Sequence, residues 1–324
     1  MQTWQQQLQQ AFKTPQALLT YLEIPNVATS ICPTSHDQFM TKVPMSFAKR
    51  MQKNNLNDPL LKQVLPITAE QKHFSDYVVD PLQEKQFNHI PGLLHKYHGR
   101  ILITLTGTCA INCRYCFRRH FDYQNNNIGQ AKWQNIFDYI QQNSDIEEVI
   151  LSGGDPLMVP DNTLHKFTEK LAQLNQIKTL RIHTRLPIVL PARIDDSFVH
   201  WTKQQPFKLV IVVHSNHPNE INDEVALAMQ RLSNITLLNQ SVLLKEINDA
   251  PSILATLSRK LFAINILPYY LHQLDKVQGT QHFAVTDQQA LQIHQQLQAL
   301  LPGYLVPRLV KEIPGEKNKT ILLR

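Results

Sequence analysis

Three thiols set the chemistry of this chain. Cys109, Cys113 and Cys116 stand in a C-x3-C-x2-C run, Thr108-Cys109-Ala110-Ile111-Asn112-Cys113-Arg114-Tyr115-Cys116-Phe117, directly after an apolar stretch that reads as a strand. Thiolates hold iron–sulfur clusters, and a cubane [4Fe–4S] has four irons. Three ligands leave one iron open to a further group. The rival is a zinc knuckle, because structural Zn2+ takes four ligands and His120 follows closely enough to be the fourth. A disulfide framework is disfavoured, since three clustered cysteines cannot all pair.

The elements that must carry these thiols begin near residue 100. Short apolar runs recur at Ile101–Leu105, Glu148–Leu151, Thr179–His183, Leu209–Val213, Ile235–Asn239 and Phe262–Leu267. Helix-period segments lie between them, among them Trp133–Gln142, Leu164–Leu174, Asn222–Leu232 and Ser252–Lys260. This alternation predicts a parallel sheet with covering helices, and six units suit an open, partial (β/α)6 barrel. In such barrels chemistry gathers at the C-terminal ends of strands. Cys109, Gly153-Gly154, Arg185, His214, Gln240 and Tyr269-Tyr270 all follow that rule. A doubly wound nucleotide-binding sheet is the alternative, but no G-x-G-x-x-G turn is present.

Residues before 100 read as polar helices and irregular connections punctuated by prolines from Pro25 to Pro91. The Gln-rich opening predicts an amphipathic helix with Trp4, Leu8, Phe12 and Leu18 on its packed face. We therefore expect an N-terminal helical extension over 1–95, a barrel over 96–300 and a C-terminal segment over 301–324. Four cysteines in 324 residues, a polar start and no long apolar run fit a reducing, cytoplasmic setting without a membrane span. The net charge of +6 is diffuse, with Lys49-Arg50 and Arg118-Arg119-His120 as its tightest groups, so nucleic-acid binding is not expected.

Ser152-Gly153-Gly154-Asp155-Pro156 closes the second strand. Alone it is an ordinary strand-to-helix turn whose glycines permit close backbone approach. One strand after the three-cysteine run, it resembles the radical-SAM superfamily, in which S-adenosylmethionine (SAM) fills the open site on the cluster. Four further stretches carry a narrower resemblance: Pro91-Gly92-Leu93-Leu94-His95-Lys96-Tyr97, Cys116-Phe117-Arg118-Arg119, His214-Ser215-Asn216-His217-Pro218-Asn219-Glu220, and Pro268-Tyr269-Tyr270-Leu271-His272-Gln273-Leu274-Asp275. They look like the lysine 2,3-aminomutase family from about residue 55 to the C-terminus.

That resemblance implies three cofactors: a [4Fe–4S] cluster on Cys109, Cys113 and Cys116, SAM, and pyridoxal 5'-phosphate (PLP). It places Gly153, Gly154, Asp155 and His214 near SAM, and Lys96 and Tyr97 against PLP. The PLP-binding lysine of the family lies five residues beyond a proline near the C-terminus, which is Lys319 here after Pro314. Glu316, Lys317 and Asn318 stand where the family has glycines, and Lys317 is the rival lysine. Arg118 matches the arginine for the substrate carboxylate, while Asp275 and Glu312 match the two acids for the distal ammonium of lysine. Glu312 is Asp, and Lys96 is Arg, in the degradative enzymes.

The reaction implied is conversion of L-α-lysine to (R)-β-lysine by an isomerase, started by a one-electron donor such as flavodoxin or ferredoxin. The short C-terminus after Lys319 resembles the bacterial branch that supplies β-lysine to elongation factor P through a lysyl-tRNA-synthetase-like ligase. Alternatives are an aminomutase for another amino acid, a degradative lysine 2,3-aminomutase, or a scaffold that only binds a cluster.

Overall fold

The computed structural model describes residues 2–25, 32–123, 126, 129 and 132–322. Nine strands form one sheet in chain order: β1 (Leu93–Tyr97), β2 (Arg100–Thr104), β3 (Glu148–Ser152), β4 (Thr179–Thr184), β5 (Lys208–His214), β6 (Thr236–Val242), β7 (Leu267–His272), β8 (Arg308–Lys311) and β9 (Thr320–Ile321). β2 to β8 are parallel, and β1 and β9 lie antiparallel along the two edges. Parallel neighbours need long crossovers. Helices Trp133–Gln142, Asp161–Leu171, Asp196–Lys203, Asp223–Gln230, Pro251–Ala263 and Asp287–Leu300 supply them. The order never reverses, which is barrel-like winding; a doubly wound sheet has a switch point. β1 and β9 are not hydrogen-bonded to each other, so the α/β barrel stays open.

β2 to β7 are the six expected strands, and β5 shows why they form. Leu209, Ile211, Val212 and Val213 are buried, the near-continuous apolar pattern of a strand covered on both faces. The sixth strand is a correction. Phe262 belongs to the helix that Pro251 opens, and that helix runs to Ala263. Asn265 then takes φ +62°, and the strand begins only at Leu267. The apolar run Phe262–Leu267 mixed a helix end with a strand start.

The opening helix is also two helices. Thr3 caps Trp4–Gln9, and Thr14 with Pro15 starts Pro15–Tyr21. Between them Phe12 exchanges both backbone hydrogen bonds with Val43, at 2.8 and 3.0 Å. The expected domain limits do not coincide with breaks in the sheet. Residue 95 falls inside β1, and β8 and β9 bring the C-terminal segment into the sheet. No helix among the described residues is long and apolar enough to cross a membrane.

Candidate active site

The cysteine loop leaves β2 and is pinned to the end of β3. Gly154 N donates to Thr106 O at 3.1 Å, and Asp155 N donates to Thr108 O at 2.9 Å. A Cβ on Gly154 would lie 2.7 Å from backbone atoms of Thr106, Gly107 and Thr108. Gly153 adopts φ +105°, and a Cβ there would lie 2.5 Å from Thr104 Cγ2. Gly154 is therefore demanded by the approach of the cysteine loop, and Gly153 by its positive φ and the Thr104 side chain on β2. On its other side, Lys42 Nζ donates to Cys109 O at 2.7 Å, Asn112 N to Lys42 O at 3.0 Å and Arg114 N to Gln63 O at 2.8 Å.

Cys109, Cys113 and Cys116 line one cavity of about 980 Å³ together with Gly153, Gly154 and Asp155. Burial pushes the Cys109 and Cys116 thiols up, Cys116 to about 11, and the neighbouring cysteines add to both shifts. Thiols in this setting stay protonated at neutral pH unless a cation takes them as thiolates. With Cys113 beside them, these thiols are a donor set of the kind that holds an iron–sulfur cluster. His120 does not line this cavity; its Nε2 faces Gln278 O at 3.4 Å, so the zinc-knuckle alternative loses its fourth ligand.

The neighbouring strand ends complete this half. Asp155 is a clamp between β3 and β4: Oδ1 accepts from Leu157 N and Thr184 Oγ1, and Oδ2 accepts from Arg185 N and Leu186 N. Arg185 donates to Cys113 Sγ and to Tyr115 Oη at 2.7 Å, and pairs with Glu220 at 3.1 Å. His214 stacks on Tyr115 at 5.6 Å between centroids, with Nε2 2.9 Å from Tyr115 Oη. Burial and the Arg185 charge hold its pKa near 3, so the ring is neutral.

The other half is a cluster of charge. Lys96 and Tyr97 come from β1, Glu312 follows β8, and Lys319 comes from the turn before β9. Glu312 Oε1 accepts from Lys96 Nζ at 2.9 Å and from Tyr97 Oη at 3.0 Å. Its Oε2 accepts from Lys319 Nζ. These bonds link the two ends of the open sheet through side chains. Burial alone would raise the Glu312 carboxyl, but Lys319 and Lys96 hold it well below the usual carboxylate range. Asp275, after β7, has the opposite fate: burial and the charge of Glu312 push it up to about 7. Burial and the Lys319 ammonium, against the opposing charge of Glu312, keep His272 neutral, with a pKa near 3.

Lys319 lines the cavity and Lys317 does not. Arg118 also lines it, gripped by Glu84 through Nε to Oε2 at 2.8 Å and Nη2 to Oε1 at 2.6 Å. Its Nη1 points at Ser152 Oγ, 3.4 Å away. The strand-end residues Arg185, Gln240, Tyr269 and Tyr270 border the same space. Sequence reasoning missed Glu84 and His183. Glu84 lies in a polar, irregular stretch with no periodicity to mark it. His183 is one of several strand residues, and its Nε2 is buried with no hydrogen-bond partner among the described residues.

A family model described as the radical SAM superfamily matches residues 103–196, the span that holds all three thiols, Gly153-Gly154 and Arg185. The chain is 48% identical to an L-lysine 2,3-aminomutase of Haemophilus influenzae, over 99% of this chain and 95% of the relative. It is 45% identical to one of Escherichia coli, over 98% and 94%. The chain belongs to the lysine 2,3-aminomutase family. An L-lysine 2,3-aminomutase of Clostridium subterminale is 32% identical over 98% of this chain and 77% of its own length. Lysine 2,3-aminomutases are isomerases, and those of the radical SAM type use a [4Fe–4S] cluster, SAM and PLP.

Proposed function

We propose that this isomerase converts L-α-lysine to (R)-β-lysine, with PLP on Lys319 and the cluster on Cys109, Cys113 and Cys116. The observation that carries the reading is one cavity with three thiols at one side and Lys319, Glu312 and Asp275 at another. When bound, the cluster and SAM supply a 5'-deoxyadenosyl radical, and PLP supplies a π-system that delocalises an unpaired electron.

The residues of this chain do the positioning. The Gly154 and Asp155 amides fix the cysteine loop, so the thiols meet the cluster in a set arrangement. His214, held neutral, offers a hydrogen bond without adding charge beside SAM. Arg118 presents a planar fork for a carboxylate, already oriented by Glu84. Asp275 and Glu312 receive the distal ammonium of lysine, which a buried site must compensate. Lys96 and Tyr97 hold Glu312 in place beside PLP.

Anaerobic incubation with SAM, PLP, dithionite and L-lysine should yield β-lysine, resolved by chiral chromatography as the R form. Absence of a β-amino product, or preference for an amino acid without a cationic side chain, overturns the reading. Flavodoxin or ferredoxin would replace dithionite as donor. The product is proposed to serve elongation factor P: with its lysyl-tRNA-synthetase-like ligase, the reaction product should add one β-lysyl mass to the factor.

A further inference from the structure

Among the described residues, one side-chain cation donates to a thiol sulfur: Arg185 Nη1 lies 2.7 Å from Cys113 Sγ. The other cations beside the cysteine loop are directed elsewhere. Arg118 and Arg119 are paired with Glu84 and Glu70, and Lys42 reaches the carbonyl of Cys109 and not its sulfur. Asp155 sets a buried carboxyl near Cys109, which works against added negative charge on the loop. Cys113 is thus the thiol whose charge a fixed cation favours.

Arg185 is held so that it cannot turn away. Nη1 also donates to Tyr115 Oη at 2.7 Å, and Nη2 donates to Gln63 Oε1 at 2.7 Å and to Glu220 Oε2 at 3.1 Å. Its own backbone N–H is fixed by Asp155 Oδ2 at 2.8 Å. The Arg185 side chain is 7% exposed and that of Glu220 is wholly buried, so water screens neither. Glu220 moderates the cation without cancelling it at the sulfur. It meets the other nitrogen of the fork, and its Oε1 is taken by Gln63 Nε2 at 3.1 Å and by the amides of Asn216 and His217 at 3.0 and 3.1 Å.

Reduction of a cluster held on these thiolates makes and breaks no bond. A low-potential one-electron donor loses an electron, the cluster gains it, and the negative charge shared with the sulfurs grows by one. Hydrogen bonds to the sulfurs and local charge are among the determinants of such a potential, and a charge-assisted bond strengthens as its acceptor becomes more negative. We propose that Arg185 sets the reduction potential of the cluster, raising it through the bond to Cys113, while Glu220 limits the rise. This rests on Cys113 being a cluster ligand.

The test uses full-length protein loaded anaerobically with cluster and PLP. It is titrated with dithionite against redox dyes while electron paramagnetic resonance follows the reduced cluster. Arg185→Gln should lower the midpoint, making reduction about tenfold less favourable, which for one electron is about 59 mV. Arg185→Lys keeps the charge and should recover part of that shift. Glu220→Gln removes the opposing charge and should move the midpoint upward. Arg185→Gln leaves a buried carboxylate unpaired, which can unfold the site, so the double variant Arg185→Gln/Glu220→Gln is measured as well. It differs from Glu220→Gln at residue 185 alone, and its midpoint should again be lower by about tenfold. Iron per chain is determined throughout and each midpoint belongs to the loaded fraction. A residue that only braced the loop would cost iron and leave the midpoint in place. Equal midpoints for the double variant and Glu220→Gln overturn the proposal, as does an Arg185→Lys midpoint no higher than that of Arg185→Gln. Full cluster content in Cys113→Ala overturns the ligand reading instead, so the two failures are distinct.

Discussion

A carboxyl held near pH 7 inside a cavity is useful to a cation and harmful to the empty protein, and Asp275 is such a group. Its folded pKa, about 7, lies above the ordinary carboxylate value, so the native state binds the proton more tightly than the unfolded chain. Stability must therefore fall as pH rises from about 4 towards 7, and the full penalty applies above 7. Three units of difference amount to an upper bound on the order of 4 kcal/mol. Asp275→Asn removes the penalty. Melting curves without lysine should show the variant close to wild type at pH 4 and several degrees more stable at pH 8. Its kcat/KM for lysine should nonetheless drop by roughly tenfold to a hundredfold, from one lost charge-assisted contact. A variant that is no more stable at pH 8, with unchanged lysine kinetics, would show that Asp275 neither suffers burial nor serves the substrate. The cysteines were legible from residue type and spacing, whereas Lys319 and Asp275 were singled out only through the family resemblance. Glu84, which grips Arg118 at 2.6 and 2.8 Å, was not, because its importance comes from a partner 34 residues away.

Among the elements, the strand ends of β2 and β3 do the most specific work, because the cysteine loop must sit where only glycine leaves room. Apolar runs alternating with helix-period segments made β2 to β7 readable from the sequence, though not the parallel strand β8, and the Gly153-Gly154 pair was visible too. Its reason was not: the close approach is to Thr104 and the Thr106–Thr108 backbone. The short edge strands escaped for a related cause. β9 has two residues, and Tyr97 and Lys96 in β1 are half-buried, so neither strand offers an apolar period to read. Gly154→Ala tests the packing. Its Cβ would meet three backbone atoms of Thr106, Gly107 and Thr108 at 2.7 Å, and backbone cannot swing away as a side chain does. The cysteine loop must shift, so iron per chain and SAM cleavage should both fall, with a stability loss of about 1–3 kcal/mol. Gly303→Ala is the control, since nothing lies within 4 Å of its added Cβ. Full iron content in Gly154→Ala would show that the loop tolerates displacement.

Across the whole molecule, the N-terminal part is built into the barrel that it was expected merely to extend. Trp4, Leu18, Leu19, Phe47, Leu60 and Leu61 share one buried apolar cluster with Ile101, Ile103 and Val149 of the sheet. The polar link is tighter still. Glu70 pairs with Arg114 through Nε at 2.9 Å and Nη2 at 2.5 Å, and with Arg119 at 2.8 Å. Arg114 stands between Cys113 and Cys116, and it also donates to Ser35 O at 3.0 Å and to Phe39 O. All three charged side chains are almost wholly buried. One carboxylate thus balances two guanidinium groups that flank the thiols from outside. Breaking a buried pair by removing one partner leaves an uncompensated charge and costs about 3–5 kcal/mol. Glu70→Gln strands two, so Tm should fall by well over the effect of a surface change and the cysteine loop should lose its outer support. Glu23→Gln is the matching control, because its pair with Lys53 is more than half exposed and such pairs contribute about 0–1 kcal/mol. The decisive readout is iron per chain, measured at a temperature where both variants remain folded by circular dichroism. If the N-terminal part positions the cluster loop, Glu70→Gln loses iron there and Glu23→Gln keeps it. Equal iron content in the two would mean that Glu70 stabilises the barrel without positioning the cluster loop.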